Sequence, residues 1–224
     1  MKKKVLNVLI VLFALVFVIC GVKLALEYAQ IDKEDKAFEQ VEKDNPFEKN
    51  KDMIAWLEVD GTDIDYPVMH TPDEPEFYLH ADFNREYSYS GTPFMDYRCD
   101  LDSDNMIIYG HNMLNRTMFS TLSNFEDESF CDEHHIIDFE TRDGMRTFEV
   151  MAAFKTDVED AMSIYEFTQA MDEDDFNDFV SLVKERSIYD TGVDARYGDQ
   201  LITLSTCAYH VENGRFIVVG KRID

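Results

Sequence analysis

The sequence predicts a mainly β protein, a closed or nearly closed barrel of about seven or eight strands with connecting helices, preceded by an N-terminal transmembrane helix. Three observations predict it: one long apolar run at the N-terminus, many short stretches of period-two or continuous apolar pattern, and one segment with helical spacing. The length of 224 residues suits one domain with an appendage.

The apolar run covers residues 5–26 and follows three lysines at 2–4. A helix over it would be about 33 Å long, which is enough to cross a hydrocarbon core. The lysines stay in the cytoplasm by the positive-inside rule. We therefore expect a single-pass membrane protein whose folded domain is extracellular.

Two cleaved signals are alternatives to this uncleaved anchor. A signal peptidase needs small residues ahead of the cut, but Glu27 and Tyr28 stand at the candidate position. A lipoprotein signal would use Cys20, but the bulky Ile19 precedes it where a small residue is expected. The anchor is the favoured interpretation.

Charge and composition divide the chain further. We expect the cytoplasmic lysines and anchor at 1–26, a charged helical or extended stalk at 27–52, and a folded domain at 53–224. Four of the 21 basic residues precede the first acidic one, so the remainder carries a formal charge of −29. Such a surface repels nucleic acid, which excludes that partner.

The folded domain begins near Trp56 and alternates strands with few helices. Strands are predicted at 64–68, 92–95, 106–109, 136–140, 147–154, 201–207 and 216–219. Phe176, Phe179, Val180 and Val183 have the i, i+3, i+4, i+7 spacing of a helix, and acids at 172–175 mark its start. A shorter helix is predicted at 118–125.

Four cysteines are present, and one of them, Cys20, lies in the anchor. Cys99 and Cys131 could form a disulfide outside the cell, although nothing in their spacing requires it. There is no CxxC and no clustered His/Cys spacing, so a zinc site is not predicted.

Cys207 ends a predicted strand on the face that turns polar toward its end, through Ser205. That position suits a reactive thiol at the mouth of a groove, whereas a buried structural cysteine is the alternative. If 201–207 and 215–222 pair as a hairpin, Arg215 faces Cys207. A guanidinium there could stabilise a thiolate or an oxyanion, and otherwise Arg215 is a surface residue that balances nearby acids.

His111 is the first side chain of the loop after the strand that ends at Gly110. Loops at strand ends often carry function, although an ordinary loop histidine is the alternative. His210, in the turn after Cys207, is the rival as a base. The other histidines are less well placed, in acidic loops or in a polar approach to a strand: His70, His80, His134 and His135.

Three local motifs occur together: Ile202-Thr-Leu-Ser-Thr-Cys207, Arg215 eight residues later, and Tyr109-Gly-His-Asn112 upstream. This combination resembles the sortases. The first of these motifs, together with residues 91–98 (Gly-Thr-Pro-Phe-Met-Asp-Tyr-Arg) and the helix at 172–186, is similar to class B. The similarity covers about residues 56–222.

The resemblance implies a sortase-type barrel and a cysteine transpeptidase that needs no cofactor. It implies that Cys207 is the nucleophile, His111 the general acid/base and Arg215 the stabiliser of the oxyanion or substrate. It further implies a groove for the sorting peptide, lined by Leu79, Tyr165, Ser205 and Thr206. The partners would be surface proteins with a C-terminal sorting motif of the Asn-Pro-x-Thr type and a peptidoglycan amine.

One position departs from the class B pattern, because Pro75 stands where relatives often have an asparagine. Proline offers neither an amide side chain nor an N–H, so that peptide contact must come from elsewhere. Two other functions remain open on the sequence. A thiol endopeptidase that only hydrolyses would use the same residues, and a non-catalytic surface-binding module would not need Cys207.

Overall fold

The computed structural model describes residues 2–42, 46–208 and 211–224. Its helices are α1 Lys2–Glu42, α2 Pro46–Lys49, α3 Glu128–Glu133, α4 Val158–Tyr165 and α5 Glu173–Arg186, with 3-10 turns at Phe77–Leu79 and Ser120–Glu126. Its strands are β1 Met53–Val59, β2 Asp65–Met69, β3 Phe94–Met95, β4 Asn105–Tyr109, β5 Ile136–Thr141, β6 Gly144–Asp157, β7 Leu201–Cys207 and β8 Gly214–Arg222.

Helix α1 contains the predicted apolar run. Its segment Val5–Leu26 has a mean hydropathy of 3.1, and none of it is buried against the protein. Within the described ranges it is the one helix whose length and composition suit a membrane span. The division into anchor, stalk and folded domain, and the direction of insertion, stay predictions.

The eight strands close into a barrel in the order β1-β2-β3-β4-β7-β8-β6-β5, which confirms the predicted architecture. Two neighbouring pairs, β2–β3 and β4–β7, are parallel, and the other pairs are antiparallel. Fully buried side chains from six of these strands contribute to its core: Leu57, Ile107, Phe139, Phe148, Leu204 and Val218.

Two predicted elements are shorter or shifted. The strand expected at 92–95 is reduced to Phe94–Met95, because Pro93 has no N–H and Thr92 donates its own to the Tyr78 carbonyl at 3.0 Å. The helix expected at 118–125 is a 3-10 helix that begins only at Ser120. Met118 has φ +55°, a left-handed conformation that cannot open a right-handed helix.

Helix α5 forms where its spacing predicts, capped by the Asp172 carboxylate, which accepts from the Asp175 N–H. Helix α4 was not predicted, although its signals are similar. Asp157 caps it, and Ala161, Ile164 and Tyr165 are buried on one face. Because α4 ends at Tyr165, it sets the position of that side chain above the barrel edge.

Cys99 and Cys131 do not form the disulfide that was considered, since both are free and buried. Burial raises the pKa of the Cys99 thiol to about 12 and also raises that of Cys131. Both thiols are therefore poor nucleophiles at neutral pH, because the thiolate is the reactive form.

Candidate active site

Strands β4 and β7 run parallel, so their C-terminal ends meet at the same edge of the barrel. Tyr109 pairs with Ser205, and the Gly110 N–H donates to the Ser205 carbonyl at 3.1 Å. His111 is the second residue after the end of β4, directly behind Gly110, and Cys207 is the last residue of β7. The pairing therefore brings the two chemically reactive residues to one edge.

Cys207 and Arg215 are register partners in the antiparallel pair β7–β8, as the hairpin prediction required. The Cys207 side chain is half-buried, in contrast with the buried Cys99 and Cys131. The Arg215 guanidinium donates through Nη1 to the carbonyls of Asn213 at 3.2 Å and Gly214 at 3.0 Å. These bonds hold the cation at the hairpin end that also carries the thiol.

His111 is half-buried and is held by main-chain and aromatic contacts. Its Nε2 lies 2.9 Å from the Leu79 carbonyl oxygen, within hydrogen-bond distance. The His80 ring stacks on it with 5.8 Å between ring centroids. The imidazole is therefore oriented by the segment that ends the first 3-10 turn, and the described structure gives it no carboxylate partner.

Tyr165 and Ser205 form one wall of the site. Their hydroxyl oxygens are 2.6 Å apart and both side chains are buried. Burial raises the pKa of Tyr165, although the Ser205 hydrogen bond and the Arg215 charge oppose that shift. The phenol therefore stays protonated at neutral pH and is available as a hydrogen-bond donor.

A groove of about 350 Å³ runs between these elements. It is lined by all seven residues that the sequence singled out: Leu79, His111, Tyr165, Ser205, Thr206, Cys207 and Arg215. Thr206 turns its hydroxyl to the Gly110 carbonyl at 2.8 Å, so only part of it faces the groove. Pro75, the departure from the class B pattern, also lines the groove.

The groove contains residues to which the sequence analysis gave no role, chiefly Asp96 and Tyr109. Asp96 accepts from Nε and Nη2 of Arg98 at 2.9 and 2.8 Å and from the Tyr109 hydroxyl at 2.8 Å. Burial alone would raise the pKa of Asp96, but the hydrogen bonds from Arg98 and Tyr109 outweigh it and lower the pKa.

This network fixes the Tyr109 ring, which packs edge-on against Tyr165 at 5.5 Å between centroids. Asp96 and Arg98 both lie in the 91–98 motif, and Tyr109 precedes Gly110-His111. The motifs thus marked these residues, but only the fold shows which side chains meet.

Among the described residues, His111 is the one histidine that lines the groove. His134 and His135 lie instead beside Asp60 and Glu149, at 3.0 and 4.0 Å. The rival His210 lies outside the described residues. No group of three or more His, Cys, Asp or Glu side chains in the described ranges could hold a metal ion.

The chain matches known proteins over its whole folded domain. The family model of the sortase domain matches residues 57–223. Sortase B of Staphylococcus aureus is 31% identical to it over 99% of this chain and 98% of the relative.

Solved structures give the same result. Sortase B of Clostridium perfringens has a TM-score of 0.76 at 33% identity, covering 80% of this chain and 98% of that one. A sortase B complexed with triglycine has a TM-score of 0.73 at 32% identity, covering 90% and 94%. The chain therefore belongs to the sortase family, among its class B cysteine transpeptidases.

Proposed function

We propose that this protein is a membrane-anchored transpeptidase that cleaves the sorting signal of surface proteins after a threonine and joins them to a peptidoglycan amine. The observation that carries the proposal is the shared groove of Cys207, His111 and Arg215. Each of these residues reaches it from a different strand end, β7, β4 and β8. The sortase family membership supports the reaction class.

The chemistry is a two-step acyl transfer. The Cys207 thiolate attacks the threonine carbonyl, and the C–S bond forms as the carbonyl π electrons move to oxygen. Arg215 and backbone N–H groups near Cys207 stabilise that oxyanion. The oxyanion then collapses, the peptide C–N bond breaks, and His111 gives its proton to the leaving amine. The product is a thioester on Cys207.

An incoming amine resolves the thioester by the same steps in reverse order. His111 accepts a proton from the amine as its nitrogen attacks, and Cys207 leaves as a thiolate. The complex of a sortase B with triglycine supports an amine as the second substrate. Water would give hydrolysis instead, which is the thiol endopeptidase alternative.

The N-terminal apolar segment supports a location for the catalytic domain at the outer face of the membrane. Segment Val5–Leu26 is apolar and unburied, and lysines precede it. With those lysines inside, the catalytic domain stands outside the cell, where sorting signals and peptidoglycan precursors are available. Intact cells can be treated with a maleimide that does not cross membranes. Labelling of Cys207, the half-buried cysteine, would support this orientation, and labelling only after lysis would contradict it.

The decisive experiment screens the full-length chain in detergent against an Asn-Pro-x-Thr pentapeptide library, with and without triglycine. We expect a mass-detected thioester on Cys207, and a threonyl-triglycine product only when the amine is present. Release of the free acid at the same rate in both would instead support the hydrolase. Because Pro75 lines the groove, the library should vary the first residue of the motif.

Three variants test the residue roles. Cys207→Ala should form no adduct, and retention of the biological function by this variant would support the non-catalytic module. His111→Ala should lower kcat by about 10²–10⁴-fold, whereas His210→Ala should change it little. Arg215→Lys should also lose most activity, because a point charge cannot replace a planar fork of N–H donors.

A further inference from the structure

The His111 ring is fixed by a main-chain carbonyl, and this determines which nitrogen is left for chemistry. Nε2 lies 2.9 Å from the Leu79 oxygen. A carbonyl oxygen only accepts, so Nε2 carries a hydrogen whenever this bond exists. In the described part of the chain Nδ1 has no hydrogen-bond partner. Nδ1 is therefore the atom that can exchange a proton with the reactants.

The position of that carbonyl depends on the close packing of a second segment against it. A Cβ atom on Gly91 would lie 2.6 Å from the Leu79 oxygen and 2.7 Å from the Tyr78 oxygen. Both are backbone atoms, so neither can rotate away. Gly91 also has φ +62°, in the left-handed region that favours glycine. Any side chain at this position would push the Leu79 carbonyl out of place.

The same contact holds the neighbouring residues. The Thr92 N–H donates to the Tyr78 carbonyl at 3.0 Å, and the Gly91 N–H donates to the Ser88 hydroxyl at 3.1 Å. The segment that carries the Leu79 carbonyl also carries His80, whose ring stacks on His111. A displacement of this segment would therefore disturb both contacts that orient the imidazole.

We propose that Gly91 is a positioning residue for His111, acting through the Leu79 carbonyl, which keeps the hydrogen on Nε2 and leaves Nδ1 to transfer the proton. The inference rests on the proposed role of His111 as general acid/base. In the cleavage step the Nδ1–H bond breaks, the proton goes to the leaving amine, and the neutral ring keeps its Nε2 hydrogen.

The chain offers a matched control for the substitution at Gly91. Gly192 also has a left-handed φ, +74°, but an added Cβ there would meet nothing within 4 Å. Gly192→Ala therefore reproduces the backbone strain without the clash. Gly91→Asn keeps the clash of the Cβ atom but reduces the backbone strain, because asparagine tolerates left-handed φ.

The experiment measures kcat and KM of the full-length chain with an Asn-Pro-x-Thr peptide pool and triglycine. In parallel, the ring nitrogens of His111 in ¹⁵N-histidine protein are followed by long-range NMR correlation above neutral pH. We expect the Nε2–H tautomer in the wild type. Gly91→Ala and Gly91→Asn should lose kcat about ten- to a hundredfold and show a mixed tautomer, while Gly192→Ala keeps both.

Three outcomes would overturn the inference: an Nδ1–H tautomer in the wild type, wild-type kcat in Gly91→Ala, or recovery of activity in Gly91→Asn. The first needs no variant, so it stands even if a Gly91 variant does not fold. Failure of the proposed function looks different, because the wild type would then form no thioester on Cys207 whatever its His111 tautomer.

Discussion

The Asn112 side chain connects the loop of His111 to the end of strand β7, since its Nδ2 donates to the Cys207 carbonyl oxygen at 2.7 Å. This is a direct bond between the residue after the candidate acid and the main chain of the candidate nucleophile. It holds the His111 loop at a fixed distance from the end of β7, which acyl transfer requires if the thiol and the imidazole act on the same peptide bond.

We predict that Asn112→Ala lowers kcat by about ten- to a hundredfold, because the loop of His111 loses its connection to β7. The loss of the hydrogen bond should also cost about 1 kcal/mol of unfolding free energy. Steady-state kinetics and thermal melting check the two effects. Leu114→Ala, on the same loop and 94% exposed, is the control and should match the wild type.

Gly110 lies against the ring of Phe119, so that an added Cβ would be 2.5 Å from the ring Cγ. Phe119 is fully buried, so moving its ring aside would disturb a packed core. We predict that Gly110→Ala lowers the unfolding free energy by about 1–3 kcal/mol and displaces His111, which follows it. Thermal melting and kcat measurements check both.

A double-mutant cycle tests the cause of that loss. Phe119→Leu should itself destabilise the chain, because it empties part of a packed core site. If the clash is responsible, the double variant will be less destabilised than the sum of the single variants. Strict additivity would mean that the ring contact is not what excludes a side chain at position 110.

Much of this site could be predicted from the sequence, because strand ends are marked by local pattern. The alternation that ends at Cys207 and the apolar run that ends at Gly110 placed Cys207 and His111 at strand ends without any tertiary information. Their proposed roles came from the family resemblance. The pairing of Cys207 with Arg215 followed from one short hairpin, whose register is a local property.

What could not be predicted depends on contacts between distant segments. Leu79 was expected to line the groove, but its carbonyl also orients His111, and no side-chain pattern reports where a carbonyl points. The bond between Asp96 and Tyr109 likewise requires β3 and β4 to be paired first. Helix α4 was missed although its cap and spacing were visible, because its eight residues give a weak periodic signal.

Tyr165 and Ser205 should act together on substrate binding. Their hydroxyls are 2.6 Å apart in a buried wall, so either substitution leaves the other hydroxyl without this partner. We predict that Tyr165→Phe and Ser205→Ala each raise KM about three- to tenfold, while kcat changes little. The measurement is a peptide titration at saturating amine.

The double variant tests whether Tyr165 and Ser205 affect KM through the hydrogen bond that they share. If the shared hydrogen bond carries the effect, Tyr165→Phe with Ser205→Ala will raise KM no more than the worse single variant. Multiplied effects would instead mean that each hydroxyl contacts the peptide separately.

We predict that Asp96 makes the stability of the folded protein depend on pH in the acidic range. Its pKa is lowered from 3.8 in the folded protein, because hydrogen bonds from Arg98 and Tyr109 outweigh the opposing effect of burial. A carboxyl whose pKa is lower when folded binds fewer protons in that state. It therefore adds stability that is complete above the pKa of the unfolded chain and is lost as the pH falls through the folded value.

The Asp96→Asn variant isolates that contribution. At pH 7 we expect the free energy of unfolding of this variant to be about 1–3 kcal/mol lower, because the amide nitrogen cannot accept a hydrogen bond from Arg98 or Tyr109. Below pH 3.8 the difference in melting temperature between wild type and variant should shrink, since the wild-type carboxyl becomes protonated as well. Asp73→Asn, at an exposed position, is the control and should follow the wild type at every pH. A constant difference across the titration would show that packing, and not the ionised carboxylate, holds Tyr109 against Tyr165.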